Sequence, residues 1–86
     1  MRFTDIYISR GPRYSLGRDG LTGRLYLSIP VSNRTTTYEE YYYLSEAELE
    51  LFVANPRCAA EFAERCGRQE QDDRLALPPG SDRGVY

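Results

Sequence analysis

Thr35-Thr36-Thr37-Tyr38-Glu39-Glu40-Tyr41-Tyr42-Tyr43-Leu44-Ser45-Glu46-Ala47-Glu48-Leu49 contains both a strand and the start of a helix. From Thr35 to Leu44, β-branched and aromatic residues dominate, as in a third strand of the chain. One face would carry Thr36, Tyr38, Glu40, Tyr42 and Leu44, and the other Thr35, Thr37, Glu39, Tyr41 and Tyr43. Leu44 is needed at the helix entry, so Tyr42 and Leu44 are assigned to the core and Glu39, Tyr41 and Tyr43 point outward. Ser45 then reads as an N-cap, with Glu48 three residues on completing a capping box and Leu44 facing Leu49 as a hydrophobic staple.

Working back from this stretch, Asn33-Arg34 supplies turn chemistry. Before it Leu25, Leu27, Ile29 and Val31 alternate with Arg24, Tyr26, Ser28, Pro30 and Ser32, the period of a half-buried strand. Proline cannot donate to a ladder, so the Pro30 end belongs at an edge, at a bulge or beyond the pairing. Phe3 to Arg10 is a further strand, ended by Gly11-Pro12. The glycine-rich span 11–23 suits a loop or an irregular hairpin, with Arg13 to Leu16 as a short extended piece.

Working forward, a first helix runs from about Glu46 to Ala54 and buries Leu49, Phe52 and Val53. Asn55-Pro56 ends it and caps a second, which buries Cys58, Ala59, Phe62, Ala63 and Cys66 on one stripe and stops at Gly67. Eight helical residues separate the two cysteines by about 12 Å, too far for a disulfide, so they read as small core residues. Leu75 and Leu77 pack back as a short strand or arm. The expected organisation is a single α+β domain over residues 1–77, in which an antiparallel sheet of three or four strands carries two consecutive C-terminal helices on one face. Residues 78–86, rich in Pro and Gly, form a mobile tail.

With 86 residues there is room for one core, which buries about 60–65% of the unfolded chain's surface. No apolar run approaches the roughly 18 residues of a membrane span, and the first residues lack the apolar core of a signal peptide, so the expected location is cytoplasmic, without membrane association. All eleven basic residues are arginines. Residues 1–34 carry six of them against two aspartates, a charge of +4, and residues 35–86 carry five against eleven acids, a charge of −6.

The chain has no histidine, so proton exchange near neutral pH would fall to perturbed carboxylates, cysteines or tyrosines. Glu39 and Glu40, adjacent on a strand, point to opposite faces and cannot serve one substrate atom. Asp72-Asp73 is an isolated acidic pair of the kind usually found hydrated in loops. The glycines of 11–23 lack the spacing and the Lys-Ser/Thr of a phosphate-binding loop. Hence no enzymatic activity, no cofactor and no metal site is expected.

Recognition suits the residues better. Four of the eight tyrosines fall between Tyr38 and Tyr43, and Tyr supplies a large, rigid contact at low entropic cost. Glu39, Tyr41 and Tyr43, with Tyr26 on the neighbouring strand and Glu40 nearby, would form an aromatic centre with acidic margins that binds a protein partner through a basic surface. In a competing account the tyrosines simply cover the sheet. An alternative partner is nucleic acid, read by an Arg/Tyr sheet face including Tyr7 and Tyr26, although the pI near 5.1 weighs against it.

A tiny acidic α+β chain with the run Tyr38-Glu39-Glu40-Tyr41-Tyr42-Tyr43 and an acidic C-terminal half resembles the bacterial immunity proteins that neutralise toxins of contact-dependent inhibition and related secretion systems. The resemblance implies a cognate toxin domain, commonly a nuclease, bound tightly in the cytosol. A phage-encoded inhibitor of a host nucleic-acid-binding complex fits the same features.

Overall fold

The computed structural model describes residues 2–86. The alternating run forms β3 (Leu25–Ser32), and Leu25, Leu27, Ile29 and Val31 are all buried, each contributing on the order of 1.5–3 kcal/mol on leaving water. β4 (Thr37–Leu44) pairs with it antiparallel from Leu25 opposite Leu44 to Ser32 opposite Thr37. Asn33 makes the connecting turn, its Oδ1 accepting from the Thr35 and Thr36 amides at 2.9 Å each. The glycine-rich span is more regular than its composition indicates. It contains a full strand, β2 (Tyr14–Asp19), paired antiparallel with β3 on one side and with β1 (Phe3–Ser9) on the other. β2 pairs with β3 only as far as Ser28, so Pro30 lies beyond that ladder, where its missing N–H costs nothing. The sheet order is β1-β2-β3-β4, and a bulge between Asp5 and Tyr7 interrupts β1.

Two helices, α1 (Glu46–Ala54) and α2 (Pro56–Gly67), follow the sheet, giving an α+β fold. The capping box is formed: Glu48 N–H donates to Ser45 Oγ at 3.1 Å and Ser45 N–H to Glu48 Oε1 at 2.8 Å. Asn55 ends α1 and its side chain accepts from the Cys58 amide at the start of α2. Phe52 from α1 and Ala59, Phe62, Ala63 and Cys66 from α2 pack on the Leu27 side of the sheet, with the Phe52 and Phe62 rings 5.2 Å apart. Leu49 and Cys58 are only half-buried. Val53, expected inside, is 63% exposed, because the nine-residue α1 reaches the core essentially through Phe52.

Leu75 packs back on the sheet as expected, whereas the end of the 78–86 segment, expected to be mobile, is anchored at Gly84, Val85 and Tyr86. Ala76 N–H donates to the Tyr41 carbonyl at 2.9 Å and Leu75 bridges Tyr42, so this segment lies along the outer edge of β4. The chain then crosses the end of the core. Val85 and Ser32 exchange backbone hydrogen bonds at 2.9 Å, and Gly84 is packed so closely on the Ser32 backbone that a Cβ there would collide with it. The Tyr86 ring covers Gly67 while its hydroxyl donates to the Arg13 carbonyl at 2.8 Å. Composition gave no sign of this, since the anchors are single residues whose partners, Ser32 and Arg13 among them, lie far back along the chain.

Candidate functional site

β4 places its residues as the alternation requires. Glu39, Tyr41 and Tyr43 lie on the face away from the helices, and Tyr38, Glu40, Tyr42 and Leu44 on the helical side. Glu39 is exposed and Tyr41 and Tyr43 are half-buried, so three of the five residues singled out for partner contact reach the surface. Tyr26 and Glu40 do not.

Tyr26 shares the outward face but has no exposed surface. Its ring crosses β2 at Gly17, where a Cβ would collide with the Tyr26 hydroxyl and the Thr4 carbonyl. The hydroxyl donates to Asp5 Oδ1 at 2.6 Å. Phe3 and Tyr41 stack on each other with centroids 3.7 Å apart, and both meet the Tyr26 ring edge-on, at 5.6 and 5.0 Å. The outer face of the sheet thus has a second, small aromatic core. Burial first, and the Asp5 carboxylate second, push the Tyr26 hydroxyl far above its ordinary range.

Tyr43 joins an ionic cluster beside it. Its hydroxyl donates to Asp19 Oδ2 at 2.6 Å, and Arg2 donates to both oxygens of the enclosed Asp19 carboxylate at 2.9 Å. Arg2, then Tyr43 and the Leu21 amide, hold Asp19 well below the usual carboxylate range against the opposing effect of burial. The Arg24 guanidinium lies 4.0 Å over the Tyr43 ring. Sequence reasoning missed Phe3, Asp5 and Asp19 here; Gly17, a glycine within a strand, was the available signal of close approach.

Glu40 is turned inward and is 7% exposed. Arg83 from the tail donates to it from Nε (2.8 Å) and Nη2 (3.2 Å), and the Tyr42 hydroxyl donates at 2.8 Å. The same guanidinium binds Asp72 at 2.7 and 2.8 Å, and these two carboxylates raise its pKa. The adjacent glutamates therefore have separate fates, one on each face of the sheet, and Glu40 is a structural ion-pair partner.

Two grooves flank the exposed residues of β4. One, of about 120 Å³, is lined by Tyr38, Glu39, Tyr41, Leu75, Leu77 and Pro78 among others. The second, about 400 Å³, includes Arg24, Tyr43, Ser45, Glu48, Asp73 and Leu75. They meet at Leu75. Between Arg34 and Arg57 the chain has five glutamates and no basic residue, so β4 and α1 together form an acidic stretch. Glu48 is neutralised by Arg74 at 2.8 Å, whereas Glu39 and Asp73 make no ion pair among the described residues.

Burial first, and the acceptor carboxylate second, hold the Tyr26 and Tyr42 hydroxyls far above their ordinary range, so neither exchanges a proton near neutral pH. Burial pushes the Cys66 thiol up to about 12, which keeps it un-ionised. Among the described residues no group of three or more Cys, Asp or Glu side chains is arranged to hold a metal ion. No helix among them is long and apolar enough to cross a membrane. No family model, curated protein or solved structure matches the chain.

Proposed function

We propose that this chain is a small protein-binding module that neutralises a partner by occluding a basic surface, in the manner of an immunity protein acting on a secreted toxin. The observation that carries this reading is the row Glu39-Tyr41-Tyr43 on β4, set between two grooves that meet at Leu75, with Glu39 and Asp73, which have no ion-pair partner among the described residues, and the half-exposed Leu77 at its margins. The tyrosine rings are held by Phe3, Asp19 and Arg24 before any partner arrives. Such preorganisation lowers the entropic cost of binding. Acidic margins steer a basic partner and speed encounter.

The nucleic-acid alternative draws less support. Phe3 and Tyr41 spend a ring face on each other, and Arg24 covers Tyr43, so the open aromatic platform that bases need is occupied. Arg2 is bound to Asp19, and Arg18 donates to the Gly23 carbonyl at 2.6 Å.

Capture from the native cell with tagged parent and with Glu39→Arg/Asp73→Arg tests the reading, alongside binding assays with RNA and single-stranded DNA. The expected result is one protein captured stoichiometrically by the parent and lost with the double variant. Submicromolar nucleic-acid binding, with no protein whose capture depends on these two acids, contradicts it.

A further inference from the structure

The outer face of the sheet is unevenly covered. At one end the Phe3, Tyr41 and Tyr26 rings pack together, and Tyr26 fills the space above Gly17. At the other end the β2–β3 ladder stops with Ser15 opposite Ser28, so this face carries two of the smallest side chains. A shallow depression of about 200 Å³ results, with Ser15 in its floor, Ile8 and Pro30 as apolar walls, and Arg13 on the β2 side and Glu39 on the β4 side of its rim.

Ser28 is the anomaly beneath it. Its side chain points to this face, between Ser15 on β2 and Tyr41 on β4, and is 1% exposed. Its Oγ is the one buried side-chain polar atom among the described residues without a hydrogen-bond partner. A buried hydroxyl left unsatisfied costs stability, so folded proteins retain few of them. The Glu39 carboxyl is near it but not bonded to it. Burial raises the pKa of that carboxyl, the Ser28 hydroxyl acts against the rise, and Asp5 adds to it. A cation beside Glu39 would offset both the burial and the repulsion. Arg13 does not supply one, since it makes no ion pair with Glu39 and its guanidinium lies 5.6 Å from the centroid of the Tyr86 ring.

We infer that this depression seats one basic side chain of the partner, its apolar stem between Ile8 and Pro30 and its cationic head on Glu39, with Ser28 as a positioning residue whose hydroxyl donates to the Glu39 carboxylate as it turns in to meet the cation. The inference rests on the proposed role of the β4 row and extends that surface across the sheet, because Tyr41 is the neighbour of Ser28 on β4. Lysine and arginine both carry an unbranched stem that lies along apolar surface while the charged head stays at its edge, which matches walls of Ile8 and Pro30 under a carboxylate rim. An anionic group would be repelled by Glu39, and a purely apolar one would leave Glu39 desolvated without compensation.

Amide NMR titration of the full chain with blocked single amino acids tests the seat without the partner: acetyl-lysine methylamide and acetyl-arginine methylamide as probes, acetyl-norleucine methylamide as the uncharged control. The basic probes are expected to shift the Ser15, Ser28 and Glu39 amides saturably, with a dissociation constant of about 1–10 mM, and norleucine is not. Glu39→Gln should weaken binding at least about fivefold. Ser28→Ala should weaken it about threefold without lowering the urea midpoint, since the hydroxyl makes no bond in the free fold. No saturable shift up to about 50 mM overturns the inference, as do an equal response to norleucine, binding indifferent to Glu39→Gln, or a Ser28→Ala midpoint below the parent's. Capture of a partner protein from the native cell with no saturable shift removes the seat and leaves the inhibitor reading standing. Saturation with no captured partner upholds the seat and counts against that reading.

Discussion

Replacing Arg83 by methionine removes the only cation in contact with Glu40 among the described residues while keeping most of the side chain's bulk. Glu40 is 7% exposed and Arg83 is 14% exposed, so the pair is largely shielded from water. After the change the carboxylate keeps only the Tyr42 hydroxyl, at 2.8 Å. Taking one partner from a buried ion pair costs about 3–5 kcal/mol, because the remaining charge is left desolvated without compensation. The residual exposure of the guanidinium places the expected loss near the lower end, about 3 kcal/mol. That is a large share of the roughly 5–15 kcal/mol available to a small domain. With a urea m-value of about 1 kcal/mol/M for a chain of this size, the midpoint should fall by about 3 M. Urea unfolding followed by far-UV circular dichroism reads this directly. Glu40→Gln/Arg83→Met, which leaves no buried charge, should recover most of the loss, and the cycle should give a coupling above about 1 kcal/mol. A single Arg83→Met variant within about 0.5 kcal/mol of the parent would refute the reasoning and return the last residues to a loose tail.

Ser45→Ala should lower stability by about 0.5–2 kcal/mol through loss of the cap to the Glu48 amide, measured by the same denaturation. Gly17→Ala should cost about 1–3 kcal/mol by driving a methyl into Tyr26 and the Thr4 carbonyl, whereas Gly11→Ala, in open space, should leave the midpoint within about 0.5 kcal/mol. Arg83 holds the Asp72 carboxyl, and Arg74 that of Glu48, below their ordinary values. Their stabilisation is thus present above the unfolded carboxylate range near pH 4 and fades as pH falls through the lower folded values, so urea midpoints should drop from pH 5 to pH 3, less so in Arg74→Gln. Cys66, with its thiol pushed up to about 12, should resist a disulfide reagent at pH 8 until the chain is unfolded.

What the sequence revealed was set by local chemistry. The Ser45–Glu48 box, the Asn55-Pro56 junction and the Leu25-to-Val31 alternation each depend on residues within a few positions, and all three formed, although β3, expected to be half-buried, is buried on both faces because Tyr26 and Ser28 are covered too. β2 was harder to read because Gly17 and Gly20 look like loop residues until Tyr26 is seen to need the space over Gly17. Tyr26 and Glu40 were misplaced for the same reason: each is buried by a residue far along the chain, Phe3 in one case and Arg83 in the other. The outward direction of Glu39, Tyr41 and Tyr43 was legible from period two alone. The half-burial of Tyr41 and Tyr43 was not, since it depends on Phe3, Asp19 and Arg24 converging from three other parts of the chain.

Association kinetics with a captured partner, followed across ionic strength, test the binding role of the β4 row most directly. The parent should associate faster at low salt and slow markedly as salt screens Glu39 and Asp73, with dissociation nearly constant. Glu39→Arg/Asp73→Arg should lower the association rate and flatten that dependence while unfolding at the parent's urea midpoint. An association rate indifferent both to salt and to the double substitution would contradict the assignment of this surface.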